Sequence, residues 1–203
     1  MTPLFRRSLI VATLALPALA FANAAVEAPA PAFTAQTADG KTVNLADFKG
    51  KTVVLEWTNH DCPYVKKHYG SGNIQSQQKA AAAQGVVWLQ VISSAPGQQG
   101  FVDGATAKKL NADRGAAPTA TLLDPKGELG KLYGAQTTPH MYVIKGDGTL
   151  AYKGGIDSIA SAKAEDIAKA EPYVTDALAA VAAGRKVEKA STRPYGCSVK
   201  YAS

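Results

Sequence analysis

The sequence predicts an α/β domain, a central mixed β-sheet with helices on both faces. Three observations carry this. Thr52–Trp57 and Val86–Ile92 are near-continuous apolar runs rich in β-branched residues, the pattern of strands buried on both sides. Segments of helical character follow each run, so strand–helix–strand units recur. Met141–Ile144 and Leu150–Lys153 flank Gly146-Asp147-Gly148 as a hairpin, ahead of a last amphipathic helix.

The chain opens with MTPLFRRSLIVATLALPALAFANA over residues 1–24. Arg6 and Arg7, the uncharged stretch Leu9–Leu19, and the small-x-small patterns Ala20-Phe21-Ala22 and Ala22-Asn23-Ala24 make up a secretory signal peptide. The apolar run is shorter than the ~20 residues that span a membrane. The expectation is export, with no stable membrane insertion once processed; a retained N-terminal anchor is the alternative. The alanine-rich, short-loop style is bacterial, so the expected compartment is the periplasm.

Residues 25–31, AVEAPAP, are expected to be a flexible leader with little reason to pack. The domain spans 32–184, and a tail over 185–203 carries Cys197. Within the domain, Phe33–Thr37 and Thr42–Leu45 form a hairpin around Asp39-Gly40. The first buried run ends at Asn59-His60-Asp61-Cys62-Pro63, a strand-to-helix turn in which Asp61 suits a cap and Pro63 the first helical turn. That helix breaks at Gly70-Ser71-Gly72, restarts with Asn73 as cap, and stops at Gly85. A polar helix over 103–113, a strand over 119–123 and a short helix ending at Tyr133-Gly134 follow. Late in the chain, Val174, Ala177, Leu178 and Val181 recur at helical spacing between Pro172 and Gly184.

Composition closes off other classes. With 46% hydrophobic residues, 19% charged, and 18 Gly without a repeat, the chain is neither disordered, collagen-like nor a coiled coil. The net charge is +6; Arg6 and Arg7 leave with the signal peptide, and the remaining +4 is too scattered for nucleic-acid binding.

Only two cysteines are present, Cys62 and Cys197. In an oxidising compartment they are either one structural bridge stapling the tail or a redox pair. Cys62 follows a buried strand at the start of a helix, where unpaired N–H groups and the helix dipole stabilise a thiolate. Lys66, Lys67 and His68 either add positive potential or form a solvated face. Thr138-Pro139 enters an apolar strand, where proline cannot donate to the ladder; a cis bond or an ordinary turn resolves this.

The segments Asn59–Val65, Tyr133–His140, Gly154–Ser158 and Arg193–Tyr201 resemble those of thioredoxin-fold redoxins, more closely the peroxiredoxin-like group of the AhpC/TSA and thioredoxin superfamily. The resemblance spans roughly Ala32–Tyr201. It implies a thioredoxin-like fold, Cys62 as the redox-active cysteine, and Thr138-Pro139 as a cis-proline loop facing it. It further implies an antioxidant oxidoreductase without a cofactor or metal. Its substrate would be a peroxide or a disulfide, and its reductant an external thiol, a thioredoxin-like protein or a small thiol. Cys197 is then the resolving residue, and Asn59, His60, Pro63, Tyr64, Thr138 and Pro139 surround the substrate. Two places depart from the pattern. Val65 stands where thioredoxins carry a second cysteine, so no dithiol is local to the helix. Asn59 stands where true peroxiredoxins carry threonine; its amide can hydrogen-bond a substrate oxygen.

Two rival readings come from other classes. Cys62, Cys197, His60, His140 and Met141 form a soft donor set suited to copper. A scaffold with a permanent Cys62–Cys197 bridge is the third, separated from the redox reading by how readily the bridge is reduced. Trp57 and Trp88 belong to the core, and Phe101 with the loop before it is placed beside the site.

Overall fold

The computed structural model describes residues 24–202, so the signal-peptide reading lies outside the described residues except at Ala24. The elements, in chain order, are β1 (Thr34–Thr37), β2 (Thr42–Asn44), β3 (Val53–Trp57), α1 (Pro63–Gly70), α2 (Asn73–Ala83), β4 (Val87–Ile92) and α3 (Gly104–Asp113). They continue with β5 (Ala120–Leu123), α4 (Glu128–Tyr133), β6 (Thr137–Thr138), β7 (His140–Ile144), β8 (Leu150–Gly154), α5 (Tyr173–Ala182) and β9 (Cys197–Ser198). Seven strands make one sheet in the order β2-β1-β5-β4-β3-β7-β8. The pairs β3–β4 and β4–β5 are parallel and the others antiparallel, which is the expected mixed sheet.

Strand periodicity divides the core in two. Val54, Trp88, Met141 and Val143 face α1, α2 and α5, whereas Leu55, Trp57, Leu89, Tyr142 and Ile144 face α4 and the N-terminal segment. β3 is buried along its whole length, as its apolar run requires. Both tryptophans lie in the core.

The face under α1 holds one charged side chain. Glu56 is fully buried and accepts hydrogen bonds from Tyr69 Oη (2.7 Å), Trp88 Nε1 (2.7 Å) and Gln78 Nε2 (3.4 Å). Gln90 donates to the same Tyr69 oxygen, and Arg114 stacks 3.6 Å above the Tyr69 ring. Burial raises the Glu56 pKa against the pull of these donors and of Arg114.

Four local expectations are corrected. Residues 25–31 do pack: Glu27 N donates to Leu150 O at 2.8 Å, Ala30 N to Gly148 O at 2.9 Å, and Leu150 N to Ala28 O at 2.9 Å, covering the β8 edge. The cap of α1 is Cys62 and not Asp61, whose own N–H is bound by Asn59 Oδ1 at 2.9 Å. The cap of α2 is Gly72, in the left-handed region at φ 76°, with Asn73 one place inside. The buried seam of α5 is Val174, Ala177 and Ala180, with Leu178 and Val181 only packing at its border.

Replacing Glu56 with alanine strands the Trp88 and Tyr69 donors in the core. We expect Glu56→Ala to lose about 3 kcal/mol or more, read as the shift in urea unfolding; a loss under 1 kcal/mol would show that the donors find other partners.

Candidate active site

Cys62 caps α1 immediately after the turn that leaves β3. Its side chain is 0% exposed. The cis Thr138-Pro139 bond brings the backbone ahead of β7 against it, and Cys62 Sγ donates to Thr138 O at 3.1 Å. From the other side comes the tail. β9 pairs antiparallel with β6, Thr138 opposite Cys197, and this register points Cys197 N–H at Cys62 Sγ across 3.4 Å. Both cysteines are free thiols, Cys62 buried and Cys197 half-buried.

Gly196 permits this crossing. It lies at φ 138°, and a Cβ there would overlap the Thr138 carbonyl oxygen. Further along, Lys200 O accepts from Ala95 N at 2.8 Å, and Tyr201 Oη donates to Ala135 O at 2.7 Å. The tail is thus held beyond Cys197 as well as at β9.

The two sulfurs differ electrostatically. Burial alone would raise the Cys62 pKa, but hydrogen bonding from the Cys197 side chain, the Val65 and Cys197 amides and Thr138 outweighs it, and the Cys62 pKa is lowered. The Val65 N–H acts without forming a cap hydrogen bond. Cys197 is pushed up to about 11 by burial, by its hydrogen bond to Cys62 and by the charge there. Of the two thiols, Cys62 is therefore the one whose ionised form its surroundings favour.

The basic residues of α1 do not take the role of adding potential at the thiol. Lys66 is exposed beside Asp61 at 3.9 Å, and Lys67 is buried against Asp157 at 3.6 Å. His68 is held neutral, its pKa lowered to about 4 by burial.

Around the sulfurs, Asn59, Thr138 and Pro139 are buried, Tyr64 is half-buried and Pro63 exposed. His60 turns away to Asp61 at 3.4 Å, on a surface cleft with Val65, Lys66 and Leu110. The amide of Asn59 is already used at both ends, Oδ1 by Asp61 N–H and Nδ2 by Gln99 O at 3.3 Å. The loop before Phe101 therefore borders the site through Gln99 and Gly100, while the Phe101 ring is exposed.

The copper donor set does not assemble. His140 and Met141 alternate to opposite faces of β7. His140 Nδ1 accepts from Gln136 N at 3.3 Å, and Met141 is sealed in the core. Among the described residues no three His, Cys, Asp or Glu side chains come together as a metal-binding group.

Two residues of this region carried no assignment from the sequence. Tyr195 stands two places before Cys197 and stacks edge-on with Tyr64, two places after Cys62, at 5.8 Å between centroids. Asp157, buried, accepts from the Tyr195 hydroxyl. Both lie in segments that resemble the redoxins, and that was their one signal.

A cysteine capping the helix after the first parallel strand, opposite a cis-proline loop, defines a thioredoxin-like redox protein. Solved structures agree on the fold. The uncharacterized conserved protein from Geobacillus kaustophilus superposes with a TM-score of 0.75 at 25% identity, covering 88% of this chain and 93% of that one. Protein SMc02350 from Sinorhizobium meliloti 1021 gives 0.74 at 19% identity, covering 88% and 96%. The thioredoxin domain of a thiol-disulfide oxidoreductase from Bacteroides vulgatus gives 0.51 at 20% identity, covering 71% and 96%. No curated protein matches the chain. Residues 26–153 match the AhpC/TSA family, and the chain belongs to it. That match stops before Asp157 and the tail.

Two predictions follow from the geometry. Gly196→Ala should lift β9 from Thr138 and speed labelling of Cys62 by an aromatic disulfide reagent about tenfold or more with the far-ultraviolet spectrum unchanged; unaltered labelling would mean that the crossing tolerates a side chain.

His68 and His140 titrate near 4 and 3 in the fold, both lowered first by burial, against ~6.5 when unfolded. The unfolded chain binds protons that the fold refuses, so stability falls as pH drops below ~6.5, by about 3 kcal/mol for His68 and about 5 kcal/mol for His140 once below the folded values. The urea midpoint should fall from pH 7 to 4, and less so in His140→Gln; a flat profile in the parent protein contradicts the burial of neutral imidazoles.

Proposed function

We propose that this chain is an exported thiol oxidoreductase that cycles between a Cys62/Cys197 dithiol and a disulfide, with Cys62 as nucleophile and Cys197 as resolving residue. One observation carries the reading: residues 135 apart in sequence meet with Cys197 N–H 3.4 Å from Cys62 Sγ, on the sulfur that ionises first.

In thiol–disulfide exchange, the Cys62 thiolate attacks a substrate disulfide, forming a mixed disulfide and releasing one thiol. Cys197 then attacks the Cys62 sulfur, releases the second thiol and closes the internal disulfide, so two electrons pass to the substrate. An external thiol, from a thioredoxin-like protein or a small molecule, restores the dithiol. Asn59, Tyr64, Thr138 and Pro139 border the approach, with Pro63 and His60 on its outer rim.

Membership of the AhpC/TSA family supports a second reading, peroxide reduction. There Cys62 attacks the O–O bond, releases water or an alcohol and becomes a sulfenic acid, which Cys197 condenses to the disulfide with loss of water. The Asn59 amide is fixed in place, Oδ1 by Asp61 N–H and one Nδ2–H by Gln99 O, and its second Nδ2–H remains the donor available to a substrate oxygen. The export signal of the sequence supports a periplasmic setting. Among the described residues no helix is long and apolar enough to cross a membrane.

Intact mass of the reduced mature protein separates the readings, after one equivalent of a small-molecule disulfide or of hydrogen peroxide. We expect rapid loss of two hydrogens with the disulfide, and a stable mixed disulfide on Cys62 in Cys197→Ser. Fast sulfenic acid formation in Cys197→Ser with peroxide would make the protein a peroxidase instead. Inertness of Cys62 to both reagents rejects the redox reading.

A further inference from the structure

Three side chains of α1 converge on the tail. Tyr64, Lys67 and His68 stand at i, i+3 and i+4, one face of the helix that begins at Cys62. All three meet Tyr195. Its ring packs edge-on against Tyr64 and lies 5.5 Å below Lys67 Nζ. Its hydroxyl lies 3.1 Å from His68 Nε2 and donates to Asp157 Oδ1.

The hydrogen-bond directions form one chain. Asn73 Nδ2 lies 2.8 Å from His68 Nδ1, which accepts; Nε2 therefore carries the proton and donates to the Tyr195 oxygen, whose own proton goes to Asp157. Asp157 is fixed from behind by Ile159 N–H at 3.1 Å and by the Lys67 ammonium, 3.6 Å from Oδ2. Lys67 itself donates to Ile159 O at 3.2 Å, and its side chain is 0% exposed. Sealing an ammonium and a carboxylate at this junction is expensive, and together with packing alone it gives little net stability. What it does supply is a directional seat for one hydroxyl.

We propose that Tyr195 is a positioning residue for the two-cysteine centre: seated on the Tyr64, Lys67 and His68 face and on Asp157, it holds Cys197 against Cys62 and so sets how readily their disulfide closes. The inference rests on the proposed dithiol–disulfide cycle. One residue separates Cys62 from Tyr64, and one separates Tyr195 from Cys197, so the aromatic contact clamps both cysteine-bearing segments close to the sulfurs. In the reduced protein the clamp has already ordered the tail, and ring closure then surrenders little freedom. Without it, closure must order the tail as well, which lowers the effective concentration of Cys197.

The test is the equilibrium of the mature protein with reduced and oxidised glutathione. Here the dithiol gives two electrons to oxidised glutathione, and two reduced glutathione molecules leave. We expect Tyr195→Phe, which keeps the ring, to lower the oxidation constant about tenfold, or ~30 mV for this two-electron couple. Tyr195→Ala should lower it further. Tyr201→Phe, which removes a tail hydrogen bond that does not touch α1, should change it less than about twofold. Unfolding that ignores the redox state would destabilise both forms alike and leave the constant in place. An unchanged constant in both Tyr195 variants overturns the proposal, as does an equal loss in Tyr201→Phe, which would assign the effect to tail docking in general. If the parent protein forms no Cys62–Cys197 disulfide at all, the two-cysteine reading itself fails and this one with it.

Discussion

A sulfur sealed from water must find its donors within the chain, because the charge on a thiolate is otherwise too costly to bury. Cys62 meets that constraint in part at the start of α1, where the Val65 amide lies toward the sulfur short of a full cap hydrogen bond and Pro63 has no N–H to offer. The missing stabilisation comes from the Cys197 side chain and amide, far along the sequence. Several features serve that approach: the Thr138 carbonyl and ladder, the cis bond beside it, and a glycine where the tail crosses.

The helix itself is held from two sides. Tyr69 joins it to the sheet through Glu56 and Gln90 and to α2 through Gln78, with Arg114 stacked over the ring. Lys67 and His68 join its other side to Asp157 and Tyr195. A buried polar network fixes orientation more sharply than apolar packing does, since each donor accepts only a narrow range of angles. Cys62 thus sits on an element with little freedom to rotate. Any adjustment between the sulfurs falls to the tail.

The sequence made the layers of the fold legible because strand burial and helix spacing leave periodic traces. Thr52–Trp57, Val86–Ile92 and the second hairpin stand where their patterns predict. Cap identity was less legible: Asp61 and Cys62 are adjacent, and only the geometry of the turn decides which one begins the helix. The leader looked unattached because its bonds to β8 are made by backbone, which leaves no side-chain pattern. At the site, a cysteine after a buried strand was visible, whereas β9 was not. Two residues carry no periodicity, and their pairing depends on where the tail returns. Lys67 shows the same limit. A lysine beside another lysine reads as a solvated face until Asp157, brought in from beyond β8, buries it.

A contact that favours the Cys62 thiolate also hides it. Cys197 N–H lies against the sulfur on one side and the Thr138 carbonyl, which accepts from the Cys62 thiol, on the other, and the sulfur has no exposed surface. On the proposed cycle, exchange at Cys62 requires the tail to withdraw, and withdrawal removes the Cys197 hydrogen bonds that help to lower the Cys62 pKa. The proposed nucleophile is then least accessible where those bonds favour its thiolate. Reactivity in such a centre is governed by the opening equilibrium together with the thiolate fraction of the open form. β9 contributes only two residue pairs to that equilibrium. The larger restraint lies upstream at Tyr195, where an aromatic contact, a hydroxyl and a buried ion pair act on one side chain. On the proposed cycle, speed at Cys62 is thus controlled outside the sulfur's own surroundings, in a segment beyond the part of the chain that matches its family.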